Sequence, residues 1–217
     1  KNAKTIKEVR CQGRFRSITE FTRRTGMNRT TVIQLARADA FTSVEQDRRG
    51  ALWEALSQEQ RPREMPLLEN LSADDERPAG LEKAGLQQEV YDDYRTTGLS
   101  LKQHPIAFHR VALNHDQIVP AKQLASLGNQ QLVRVAGLVL LRQRPSTAKG
   151  ITFVTLEDET GTANLVLHQR VWERYYTIAR RSPAWIVSGK LEHSGDVIHV
   201  VVNRLEDLSG RLNNLKS

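Results

Sequence analysis

Cysteine is almost missing: Cys11 is the only one in 217 residues. It can form no internal disulfide and no cysteine-rich zinc site, so a reducing, cytoplasmic setting is expected. No apolar run reaches the ~18 residues that a membrane span needs. The chain opens on Lys1 rather than Met, and no apolar stretch follows a basic start. That argues against a signal peptide and for a piece of something longer. The six histidines are scattered. His104 and His109 flank Pro105, and His193 and His199 flank an expected turn, without the acidic or thiol partners that a metal requires. Aromatic residues make up only 6% and hydrophobic residues 39%. A core is possible but not a large one, and the length suits one large domain or two small ones with a linker.

Charge is plentiful and unevenly placed. Residues 1–61 hold 13 Lys/Arg against 7 Asp/Glu, residues 62–93 hold 3 against 9, and residues 94–217 hold 16 against 9. Two basic blocks separated by an acidic stretch suggest two modules that meet a polyanion. Simple solubility would produce the same net charge of +7.

Apolar spacing predicts helices over 15–56. Ser17 can cap the first, with Glu20 at the capping-box position, and Gly26 ends it. Thr30 is a cap candidate for the second, which runs toward Phe41, and Asp47 precedes a third. A tight turn between two short helices suggests a helix-hairpin-helix, in which backbone N–H groups point at a phosphate. Gly26 and Asn28 suit the left-handed geometry this needs, and Arg23, Arg24 and Arg29 could add phosphate contacts. An ordinary helical hairpin with a solvated basic face fits the same pattern.

Beyond this all-α module at 1–56, residues 57–88 read as an acidic flexible linker with several Pro and Gly. Residues 89–130 read as a helical connector, with a helix from Gln87 to Leu99, a turn at His104-Pro105 and a short helix from Ala121 to Leu127. The pattern then changes to β. Strands are expected at 132–141, 151–156, 162–167, 184–191 and 197–205, with a helix at 169–181 between the third and fourth. That order is the five-stranded oligonucleotide-binding (OB) barrel, expected over 131–208 and followed by a tail at 209–217. The fold class expected is therefore α+β and multi-module. Gly137 falls where a long first strand must bend.

In this fold a strand of nucleic acid crosses strands 2 and 3, between the loops that join strands 1 to 2 and 4 to 5. Alternation points Val154, Leu156, Leu165 and Leu167 inward, and Phe153, Thr155, Asn164 and Val166 outward. Phe153 is the expected stacking platform and Asn164 a reader of a base edge or phosphate. Arg142, Arg144 and Lys149 of the first loop, with Arg134 of strand 1, would follow the backbone. One aromatic on the face implies modest affinity and little sequence preference. Trp172, Tyr175, Tyr176 and Trp185 are expected to pack the helix on the barrel. The triplet Glu157-Asp158-Glu159 has no second carboxylate cluster beside it and reads as a turn rather than a magnesium site.

Several runs look familiar: Val133 to Val139, Arg142 to Pro145, Lys149-Gly150, Phe153 to Gly161, Tyr94 to Leu101 with His104-Pro105, and Leu35 to Phe41 with Asp47 to Arg49 and Ala51 to Trp53. They resemble the C-terminal region of bacterial C-family DNA polymerases, in particular the error-prone, damage-inducible branch of the replicative alpha-subunit family. The resemblance implies a part of a larger nucleotidyltransferase active in DNA replication and translesion synthesis. Its catalytic palm, with Mg2+-binding aspartates, would lie upstream, so no catalytic residue, metal or cofactor is expected in this segment. It also implies that the hairpin module grips duplex DNA and that the barrel lies near single-stranded template. Residues 1–14 show no first hairpin. Accessory proteins or a sliding clamp are implied partners, although Glu64 to Leu68 lacks the glutamine and aromatic of clamp motifs. Two alternatives stay open: the anticodon-binding barrel of an aminoacyl-tRNA synthetase, and a protein-interaction barrel.

Overall fold

The computed structural model describes residues 2–44, 47–57, 82–147, 150–195 and 197–212. It divides into two compact units, Lys1–Leu99 and Ser100–Ser217.

The first unit is helical. Its elements are α1 (Asn2–Arg10), α2 (Ile18–Thr25), α3 (Arg29–Arg37), α4 (Arg48–Ser57) and α5 (Leu86–Thr97). The Ser17 hydroxyl accepts from Glu20 N and caps α2, as its spacing predicts. Gly26 closes α2 at φ 62°, a left-handed conformation that glycine adopts without strain. The next cap is Asn28, not Thr30: its side chain accepts from Thr31 N, and its φ of −72° is not left-handed. The turn is therefore two residues tighter than expected. The Asp47 carboxylate accepts from Gly50 N at the start of α4. Phe21, Val32, Ala36, Phe41 and Ala51 form the core, with Phe21 edge-on to both Phe15 and Phe41.

Two boundaries differ from the expected ones. Helix α1 lies within residues 1–14, where no first hairpin was recognisable. The expected connector, 89–130, is divided: α5 belongs to the helical unit, where Arg48 bonds to Glu89 O and pairs with Asp93. Most of the expected linker, including Glu64 to Leu68, lies outside the described residues.

The second unit is a closed barrel in the order β1-β2-β3-β5-β4. The strands are β1 (Leu132–Gln143), β2 (Thr152–Asp158), β3 (Gly161–Leu167), β4 (Ala184–Ser194) and β5 (Val197–Asp207). Strand β1 pairs with β4 through its first half and with β2 from Leu138 onward. A Cβ on Gly137, at the exchange, would lie 2.5 Å from the Glu157 carbonyl oxygen, so only glycine fits there. Inward residues alternate as expected: Val154, Leu156, Leu165 and Leu167 are all buried. The expected helix at 169–181 is two short ones, α7 (Gln169–Arg174) and α8 (Tyr176–Arg181), broken at Tyr175. Trp185 is fully buried, and Trp172 and Tyr175 pack on the core, but Tyr176 is exposed. The connector residues Ile106 and Leu113 are buried, whereas Val111 is exposed. Residues 121–126 form a 3₁₀ helix whose Ala121 and Leu124 join the barrel core. Among the described residues no helix is long and apolar enough to cross a membrane.

Candidate nucleic-acid interface

The outer surface of β2 and β3 brings four predicted residues together. Phe153 stands opposite Val166, and Thr155 opposite Asn164, with the Thr155 Oγ1 and Asn164 Oδ1 3.5 Å apart. Phe153 keeps 41% of its surface exposed. A phenyl ring left that open on a strand has no core to fill and offers a face for stacking. Sequence reasoning missed the neighbours. Leu141 and Gln143 of β1 lie beside Thr155 and Phe153. His199 and Val201 of β5 lie beside Asn164 and Val166. The parallel β3–β5 pairing that brings them there joins residues 35 apart in sequence, and nothing local signals it. His199 Nε2 lies 3.5 Å from a Glu192 carboxylate oxygen on β4.

The predicted cations divide into two groups. Arg144 is exposed in the loop after β1, and Lys149 lies outside the described residues. Arg142 belongs to β1 rather than the loop, and its guanidinium is engaged inside the unit. Its Nε donates to Ala179 O at 2.9 Å, a terminal nitrogen donates to Ser182 O, and the group lies 5.2 Å from the Trp185 ring centre. Burial pushes its pKa down. It thus closes the C-terminal end of α8, where a helix end offers unsatisfied carbonyls. Arg134 donates to Asp116 O at 2.7 Å and lies 3.7 Å from Glu206. It sits on the half of β1 that pairs with β4, away from the β2–β3 face.

The hairpin cations divide in the same way. Arg23 is exposed. Arg24 donates to the carbonyls of Val9, Gly13 and Arg14, pairs with Glu20, and lies 4.8 Å from the Phe15 ring centre. It ties the end of α1 to α2. Arg29 donates to Leu56 O at the end of α4. The Gly26 N–H bonds to Thr22 O, and the Asn28 side chain is engaged in its cap. Around this turn, Arg23 is the predicted cation facing solvent.

The acidic triplet has a structural role that the sequence did not disclose in full. One Asp158 oxygen accepts from Thr160 N, Thr160 Oγ1 and Gly161 N, which builds the expected turn. The other accepts from Ala121 N and from Arg110 at 3.1 Å. Arg110 also pairs with Glu159, and His104 Nε2 lies 3.9 Å from Glu157. With both Asp158 oxygens so occupied, the triplet does not suit a metal ion. Arg110 was not predicted; forty-eight residues separate it from Asp158.

Residues 1–51 match the helix-hairpin-helix motif, and residues 133–208 match an OB-fold nucleic acid binding domain. An error-prone DNA polymerase of Rhodopirellula baltica is 51% identical over 204 residues, 94% of this chain and 18% of that protein. Those of Caulobacter vibrioides and Anaeromyxobacter dehalogenans are 48% and 42% identical, over 84% and 94% of this chain and 17% and 18% of theirs. The chain belongs to the error-prone DNA polymerase family. The resemblance read from its motifs is thereby borne out, as are the two expected modules, a hairpin module followed by a five-stranded barrel. The chain spans about a fifth of the length of these polymerases.

Proposed function

We propose that this chain is the DNA-holding, non-catalytic C-terminal region of an error-prone DNA polymerase. The helix-hairpin-helix unit meets duplex DNA, and the barrel takes the single-stranded template. The magnesium-dependent chemistry belongs to a palm outside this chain. The observation that carries the reading is the open face of β2 and β3. Phe153 and Val166 offer apolar surface to a base there, and Asn164 offers a carboxamide. The cations that could accompany this face are few, since Arg142 and Arg134 are engaged within the unit. Binding by this chain alone is then modest, with a salt dependence set by a small number of phosphate contacts.

The test is fluorescence anisotropy of a labelled single-stranded oligonucleotide over a salt series. Affinity should fall with salt at the shallow slope that a few phosphate contacts give, and Phe153→Ala should weaken binding by about 1–3 kcal/mol. An unchanged affinity in that variant removes Phe153 from the interface. Binding that ignores DNA and persists in high salt favours a protein-docking barrel instead.

A further inference from the structure

A second recess lies on the other flank of the barrel, where the first half of β1 meets β4 and β5. It encloses about 540 Å³, within the ~300–1,000 Å³ common for small-ligand clefts. Its lining is rich in carboxamides: Gln117, Gln123, Gln131 and Asn203, with the Ser188 hydroxyl and the Arg134 guanidinium. The side chains of Gln117, Gln123, Ser188 and Asn203 have no hydrogen-bond partner among the described residues. The Gln131 oxygen accepts from Gly128 N, leaving its amide N–H groups available. Leu127 and Leu132 supply apolar walls.

This lining is chemically selective. Carboxamides donate and accept at once, which matches the mixed donor–acceptor edge of a nucleobase better than it matches a free anion or a lipid tail. Cations stand close by. Lys190 pairs with Leu132 across the β1–β4 ladder, and Arg204, 66% exposed with its Nε 3.2 Å from a Glu206 carboxylate oxygen, pairs with Ser188 across the β4–β5 ladder.

The sheet register links the recess to the face already described. Phe153 pairs with Val166, Val166 with Val201, Val201 with Lys190, and Lys190 with Leu132. These residues form one cross-strand row around the outside of the barrel, and all of them retain exposed surface. Four strand spacings separate its ends, a path of roughly 19 Å. The row is apolar except for its one cation, Lys190, next to the recess.

We propose that the amide-lined recess is a second contact for single-stranded nucleic acid. A strand lying on Phe153 continues along the row, its phosphates pass Lys190 and Arg204, and a base enters among Gln117, Gln123 and Asn203. This rests on the nucleic-acid reading above and extends it to a surface on the opposite flank.

The experiment compares oligonucleotides of about 6 and about 16 nucleotides, the range over which one such barrel fills. It uses the full chain, the double variant Gln123→Ala/Asn203→Ala, Lys190→Gln and Phe153→Ala. Both amide side chains are exposed, so the double variant should keep its melting temperature. The double variant and Lys190→Gln should bind the long strand about tenfold more weakly and the short strand unchanged. Phe153→Ala should weaken both. Wild-type affinity for the long strand in both recess variants overturns the proposal and leaves the Phe153 face standing. Equal loss at both lengths overturns it too, since the recess would then not be a separate contact. If the unaltered chain binds neither strand, the nucleic-acid reading itself fails, and the recess with it.

Discussion

At Gly137 the backbone of β1 passes so close to β2 that a methyl group would meet the Glu157 carbonyl at 2.5 Å. Because that neighbour is backbone, it cannot swing aside. Gly137→Ala should cost about 3 kcal/mol, read as a lower denaturation midpoint. Arg142 is the converse case, a charged side chain doing the work of a cap. Arg142→Ala leaves the Ala179 carbonyl without its side-chain donor and the Ser182 carbonyl with only the Trp185 Nε1 donor, and should cost about 2 kcal/mol in a urea melt. Its salt dependence of DNA binding should stay that of the parent, which separates a structural cation from a phosphate contact. His104 carries a pH dependence. Its Nδ1 accepts from Ile106 N, and burial lowers its pKa despite the nearby Glu157. Its contribution to stability is complete above about 6.5, the ordinary histidine value. It declines as pH falls below that, because the unfolded chain takes up the proton and the folded one does not. Melting temperature should therefore drop from pH 7 to 5, and His104→Asn, which keeps a cap acceptor, should flatten that drop.

Among the elements, the barrel strands were legible because a half-buried strand writes period two into its sequence. Val154, Leu156, Leu165 and Leu167 did so, and the faces of Phe153 and Asn164 followed. Helix α1 was illegible for the opposite reason: no residue of it is buried, so no apolar stripe marks it. Its attachment depends on Arg24, fourteen residues beyond α1, reaching back to the Val9 carbonyl. Arg142 was misplaced because a count of arginines says nothing about where a guanidinium finds carbonyls. The link between connector and barrel was hidden too, since it joins Arg110 to Asp158 and Glu159 across the fold. Asp158 is nearly fully buried, and breaking a pair with a buried member typically costs about 3–5 kcal/mol. Arg110→Ala should cost about 3 kcal/mol and speed amide hydrogen exchange in residues 105–126 before the β-strands are affected.

On the scale of the whole molecule, the two units have separate cores, one around Phe21 and Phe41, the other around Trp185 and the barrel strands. Each core can unfold as a cooperative transition of its own. Destabilising the barrel with Gly137→Ala should therefore move one of two unfolding transitions and leave the helical one in place, as seen by calorimetry. The charge pattern has its own consequence at this scale. The turn between β2 and β3 places three consecutive carboxylates at the end of the strands that carry Phe153 and Asn164. Left bare, they would form an anionic fence against a phosphate chain. Arg110 sits among them and cancels part of that field, so a residue of the connector sets the local potential at the end of the face proposed here for DNA.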